Sequence, residues 1–234
     1  MIYRTTISYD TTTTMTTKTK RTVAHRKLAG LASSVLAMAA MACLAGCSVF
    51  PKPQADPTRF YVLTGPSIPA VAATMPAGTL RVGLQTVRTA PYLDGKSMIV
   101  RRGDNEIDYR DFARWAEPLS TGVGRMLGAQ LLASGQVGRV YPYPFPLEVT
   151  RDVDVTLSVL RCEGVVKPDG TAAASFVCIV EVTDARADGS VRMRRLFNAP
   201  ETAWKEGDYS ALARQLSDAI AQLSVEVLAA LPAR

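Results

Sequence analysis

The chain has 234 residues, with 27 Lys and Arg against 21 Asp and Glu, a single histidine, four cysteines and a formal charge of +6. The positive surplus sits at the N-terminus: six bases and one acid lie up to Cys47, while the 188 residues from Cys47 onward hold 21 bases and 20 acids. No basic cluster that could track phosphates remains there, so no nucleic acid is expected as a partner, and the lone His25 falls in the same N-terminal stretch, which excludes Ser-His-Asp and Cys-His catalysis and His-ligated zinc from the remainder.

Residues 1–46 read as a leader and signal peptide. Residues 1–14 are Thr-rich, and Met15 opens a leader of conventional shape. Lys18, Lys20, Arg21, Arg26 and Lys27 supply a basic flank, and Leu28 to Ala42 an apolar run. That run is shorter than the ~20 residues a membrane-crossing helix requires. Leu44-Ala45-Gly46-Cys47 then reads as a lipobox: small residues where a peptidase cuts, followed by a cysteine whose thiol carries a diacylglyceryl thioether. The mature chain is thereby expected to begin at Cys47 with palmitate-like acyl chains, as a bacterial envelope lipoprotein anchored to a membrane rather than spanning it. This covalent lipid is the only non-protein group expected; no cofactor and no metal are. Ser48 follows the lipidated cysteine. By the usual sorting rule an Asp there retains a lipoprotein in the inner membrane, so Ser48 directs it to the outer one, facing the periplasm.

Residues 47–59 hold Pro51, Pro53 and Pro57 among polar residues and read as an extended tether. One domain is expected over 60–234. Phe60 to Leu63 is a short strand and Ser67 to Gly78 a loop. Over Thr79 to Val87, Leu80, Val82 and Leu84 alternate with Arg81, Gly83 and Gln85, the pattern of a half-buried strand. Ser97 to Asp111 reads as a hairpin turning at Gly103-Asp104-Asn105. Trp115-Ala116-Glu117-Pro118-Leu119 opens a helix, with Pro118 tolerated in the first turn. Leu119, Val123, Met126, Leu127 and Leu131 recur at helical spacing up to Gly135. Gly122, Gly124 and Gly128 weaken that helix by ~1 kcal/mol each against Ala, and they permit a close approach.

Val137 to Tyr141 is a strand, followed by Pro142-Tyr143-Pro144-Phe145-Pro146. Val153, Val155, Leu157 and Val159 alternate with polar residues until the phase flips at Leu160, which predicts a β-bulge. Lys167-Pro168-Asp169-Gly170 turns the chain into a return strand with Phe176, Cys178, Val180 and Val182 on one face. Asp188-Gly189 leads into Val191 to Phe197. Asp208 is an N-cap, and Tyr209, Leu212, Leu216, Ile220, Leu223 and Val227 form the apolar stripe of a last helix. The fold class is α+β: a mixed or antiparallel sheet with two main helices packed on it.

Cys162 and Cys178 each lie eight residues from Gly170. A hairpin centred there sets them opposite each other, and an oxidising compartment permits a disulfide. Two buried thiols packed as hydrophobes are the alternative; register and compartment favour the disulfide. A redox-active pair is not expected, for want of C-x-x-C spacing.

Taken in order, the lipobox, the tether, Phe60-Tyr61-Val62-Leu63, Pro91-Tyr92-Leu93-Asp94, Ile99-Val100-Arg101, Trp115-Ala116-Glu117-Pro118-Leu119 and Val140-Tyr141-Pro142 resemble the ABC-type transport auxiliary lipoproteins, the group that includes PqiC-like lipoproteins. The blocks Tyr92-Leu93-Asp94 and Trp115 to Leu119 carry most of the resemblance. It implies a compact α+β fold and a non-catalytic subunit that serves an ABC transporter permease and ATPase together with an MCE-domain protein, moving lipids between inner and outer membranes. A homo-oligomer capping a tunnel is compatible with such a role. Tyr143 and Phe145, with the glycine-faced helix after Pro118, are the candidate partner contacts, and ordinary core packing is the competing reading of both. A structural or assembly lipoprotein of the envelope is the alternative function. A lipid-anchored hydrolase is disfavoured by the missing histidine and the lack of a nucleophile elbow.

Overall fold

The computed structural model describes Met38 and residues 54–65, 78–186 and 189–233. The lipobox, Cys47, Ser48 and nearly all of the loop expected over 67–78 lie outside the described residues. The unit that carries the fold spans Pro57–Arg234.

One long strand organises the sheet. β7 (Val153–Val166) runs for 14 residues, and Val153, Val155, Leu157 and Val159 are fully buried while Asp154, Thr156 and Ser158 are not. Strict alternation of β-branched and polar residues gives such a strand one core face and one wetter face. Along one edge it pairs antiparallel with β8 (Ala172–Asp184), from Val153 opposite Asp184 to Val166 opposite Ala172. Three strands share the other edge in succession, all parallel to it: β2 (Leu80–Leu84), β3 (Arg88–Thr89) and β4 (Ser97–Arg102). The amides of Gln85 and Ala90 donate to the Val155 and Val159 carbonyls and continue the ladder between these short pieces.

Outward from β4, β5 (Glu106–Trp115) pairs antiparallel and β1 (Arg59–Tyr61) parallel, at the far edge. Outward from β2, β6 (Val137–Pro142) pairs parallel. On the far side of β8 lie β9 (Val191–Asn198) and β10 (Thr202–Ala203), both antiparallel to it. The sheet is mixed, as expected. β3, β10 and a 3₁₀ turn at Pro91–Leu93 were not foreseen, being too short to carry a periodic signal.

The two expected helices pack on the sheet. α1 (Leu119–Ala133) buries Leu119, Val123, Met126, Leu127 and Leu131. α2 (Tyr209–Ala230) buries Leu212, Leu216, Ile220, Leu223 and Val227, and Asp208 caps it by accepting from the Ala211 amide at 2.9 Å. The start of α1 differs from expectation. Pro118 is its N-cap, and Trp115 is the last residue of β5. Pro favours helix-starting geometry in the residues after it and an extended chain before it, so the strand runs up to Ala116-Glu117 and the helix begins at once beyond.

The predicted bulge is present, but the register of the hairpin turn overturns the disulfide. Register shifts between Val159 and Arg161, leaving Leu160 as the extra residue, exposed to solvent. The hairpin is not centred on Gly170. Gly170 takes φ +81° and its amide donates to the Lys167 carbonyl, so Val166 pairs with Ala172. Cys162 therefore faces Phe176, and past the bulge Cys178 faces Val159. Both are free, buried thiols.

Candidate functional site

The two motif blocks are structural anchors rather than one site. Leu93 is buried in the core. The Tyr92 hydroxyl donates to the Leu160 carbonyl at 2.9 Å, so the tyrosine clasps the bulge. The Arg101 guanidinium lies 5.5 Å from the Tyr92 ring centroid, and its Nε donates to Glu163 Oε1 at 2.6 Å. Burial first, and the Glu163 carboxylate second, push the Tyr92 phenol up to about 12. Burial works against the charge of Arg101, but Glu163 more than offsets it. Asp94 accepts a hydrogen bond from the Thr89 hydroxyl, and its amide closes the 3₁₀ turn on Pro91.

The second block joins β1, β5 and α1. The Trp115 amide donates to the Lys96 carbonyl at 2.7 Å and the Ala116 amide to the Tyr61 carbonyl at 2.8 Å. Trp115 and Leu119 are buried. Glu117 holds Arg125 at 2.5 Å, and Arg125 also reaches the Leu63 carbonyl at 2.8 Å. This pair fastens the end of the first strand to the first turns of α1.

An accessible, mainly apolar groove of about 570 Å³ lies between the outer flank of α1 and the C-terminal ends of β2 and β6. Leu84, Val87, Val140 and Pro142 line one wall, and Gly124, Gly128, Ala129 and Leu132 the other. The glycines explain why a groove exists there. A Cβ on Gly124 would meet Val87 Cγ2 at 3.3 Å and one on Gly128 would meet Val140 Cγ1 at 3.6 Å, so the helix lies close against the strands and bears no side chains above that contact. Arg125, Ser120 and Thr121 make the groove polar at one end.

Tyr143 stands at the mouth, 57 % exposed, with its amide bonded to the Leu84 carbonyl at 2.9 Å. The Tyr143–Pro144 peptide is cis. Phe145 packs edge-on to Tyr143, ring centroids 5.6 Å apart, and Arg151 covers its other side at 3.8 Å. Thus the two candidate contact regions, the Tyr143–Phe145 segment and the glycine face of α1, meet: Tyr143 and the glycines share one groove, and Phe145 supports it from behind. Val87 and Val140 complete the walls; Val140 belongs to the Val140-Tyr141-Pro142 block, and neither was a candidate contact. Apolar character at a strand end, which core residues share, does not mark either as a groove wall.

No histidine, cysteine or carboxylate lines this groove. Elsewhere, burial pushes the Cys178 thiol up to about 12, with Glu226 adding to it, and burial raises Cys162 further in the same direction. Both thiols are held protonated. Among the described residues no group of three or more His, Cys, Asp or Glu side chains converges, and no helix among them is long and apolar enough to cross a membrane.

The sequence model described as "ABC-type transport auxiliary lipoprotein component" matches residues 61–228. Among solved structures, protein XCC0632 from Xanthomonas campestris superposes with a TM-score of 0.60 at 19 % identity, over 73 % of this chain and 92 % of that one. An uncharacterized protein superposes with a TM-score of 0.55 at 18 % identity, over 73 % and 95 %. These likenesses show the shared fold. No curated protein matches the sequence significantly.

Proposed function

The chain belongs to the ABC-type transport auxiliary lipoprotein components, and from that premise we propose that it is a non-catalytic, lipid-anchored subunit that docks an MCE-domain protein of an ABC lipid transporter through the α1 groove. Family membership supplies the association with an ABC transport system and the membrane anchoring. The lipobox at Cys47 supplies the anchor's position, and Ser48 the outer membrane as its destination.

The observation that carries the docking role is the exposed apolar groove with Tyr143 at its mouth. An apolar cleft rimmed by an exposed aromatic is the form a partner's anchor residues fill. The domain core is already closed by α1 and α2, so this surface has no packing partner of its own among the described residues.

The test is a photo-crosslinking amino acid at position 143 in cells, with the same probe at Val191 on the exposed edge of β9 as control. The expected product is an MCE-domain protein joined through position 143 and not through 191. Gly128→Leu, which places a bulky side chain in the groove, should abolish it while circular dichroism stays unchanged. Capture of cell-wall synthases or outer-membrane assembly factors instead would refute the transport role. Fractionation of Ser48→Asp tests the sorting: this variant should move to the inner membrane, and indifference to the change would refute an outer-membrane address set by Ser48.

A further inference from the structure

We infer that the outer face of the β1–β5 edge lies against the phospholipid bilayer that holds the chain's lipid, so that the domain rests on the membrane by its own side chains as well as by its anchor. The inference depends on the lipid at Cys47 proposed above. Phe60 is 63 % exposed and Phe112 58 %, and Val62 is half-exposed beyond them. In the parallel ladder Phe60 lies opposite Arg114. Phe112 precedes Arg114 by two residues on the same strand, so Phe60, Phe112 and Arg114 project from one face, while the intervening Ala113 and the following Trp115 point into the core. Both phenylalanines leave more than half of their surface in water at this edge of the sheet.

One arginine on this face suits a phosphate-bearing surface, although the exposed Asp111 stands next to Phe112. The Arg114 guanidinium donates to the Asp111 carbonyl at 2.9 Å and forms no ion pair among the described residues. Aromatic rings at the level of the headgroups with a basic side chain reaching the phosphates is an arrangement by which peripheral proteins hold a bilayer surface.

Chain length fits too. Phe60 is thirteen residues beyond Cys47. That stretch spans at most about 45 Å fully extended, and about 20 Å as a relaxed coil. The β1 edge is the first structured part of the domain after the tether, and Phe60 is therefore among the residues the anchor keeps nearest the bilayer. A protein partner would need no such proximity.

Depth-dependent fluorescence tests this on the full lipid-bearing protein. Wild type, Phe60→Trp, Phe112→Trp and Val225→Trp are reconstituted into phosphatidylethanolamine–phosphatidylglycerol vesicles with or without dibrominated acyl chains. Trp115 and Trp204 are buried, so emission in excess of wild type reports the new site. Val225 is exposed on α2 and serves as the control. Quenching at 60 or 112 should exceed that at 225 by roughly twofold or more, as for rings lying in the interface. Should one substitution fail to fold, the other carries the measurement. Equal, weak quenching at all three sites, with intact mass showing lipid on Cys47, would overturn the membrane contact and leave the anchor standing. Unmodified Cys47 would overturn both.

Discussion

Glu163 is the residue whose environment departs furthest from what its type suggests. Its side chain is fully buried, one oxygen is bonded to Arg101, and Oε2 has no hydrogen-bond partner. A buried ion pair is a weak source of net stability, but breaking it is costly because the surviving charge stays desolvated. Arg101→Met should therefore destabilise the domain by about 3–5 kcal/mol, while Arg101→Met combined with Glu163→Leu should regain most of that loss in urea unfolding. A double variant no more stable than the single one would mean that Arg101 acts by packing on Tyr92 rather than by charge. This pair was not legible because alternation past the bulge sets Glu163 on the polar face, and what buries it there is Arg101 and Tyr92, both distant in sequence. The turn, which pairs Val166 with Ala172 and so centres on Asp169 rather than Gly170, separates the cysteines. Alkylation followed by mass spectrometry should find Cys162 and Cys178 unreactive in the native protein and both labelled in denaturant without reductant. The Cys178 thiol is raised from an ordinary 9.0 to about 12. Its protonated form is favoured by folding, so that contribution is fully present below pH 9 and is lost as pH rises towards 12. Stability should fall through this alkaline window, and less steeply in Cys178→Ala; equal slopes would show that the thiol does not contribute.

At the level of elements, what was legible followed from periodicity. The strands from Val153 and from Ala172, the stripe of α2 and its Asp208 cap, and the buried row Leu80, Val82 and Leu84 all matched. What was not legible depended on contacts distant in sequence: β3 and β10 exist because β7 and β8 offer them a free edge. The glycines of α1 show how local propensity and function diverge. Gly128 costs the helix about 1 kcal/mol relative to Ala, and a Cβ there would touch Val140 at an ordinary 3.6 Å. Gly128→Ala should thus raise stability by about 1 kcal/mol. The larger Gly128→Leu should leave the fold intact and remove the partner crosslink, since it fills the groove. If Gly128→Ala lowers stability instead, the helix is held closer to β6 than this spacing allows.

For the molecule as a whole, the pairing of β7 decides how stability is distributed. It is hydrogen-bonded along its length on both edges, to β8 on one and to β2, β3 and β4 on the other, and its alternate side chains are buried among the core residues. β1 and β10 are two or three residues long. Amides in strands paired on both edges and covered by a helix open only with the whole domain, whereas short edge strands open locally. Native-state hydrogen exchange should therefore find the slowest amides at Val155, Leu157, Val180 and Val182, exchanging at the free energy of global unfolding. Those of β1 and β10 should exchange orders of magnitude faster. On lipid vesicles β1 alone among these edges should slow, because the proposed membrane contact covers it and leaves β10 in water. Protection of β10 to the same degree would point to general stabilisation of the domain rather than to contact at the Phe60–Phe112 face.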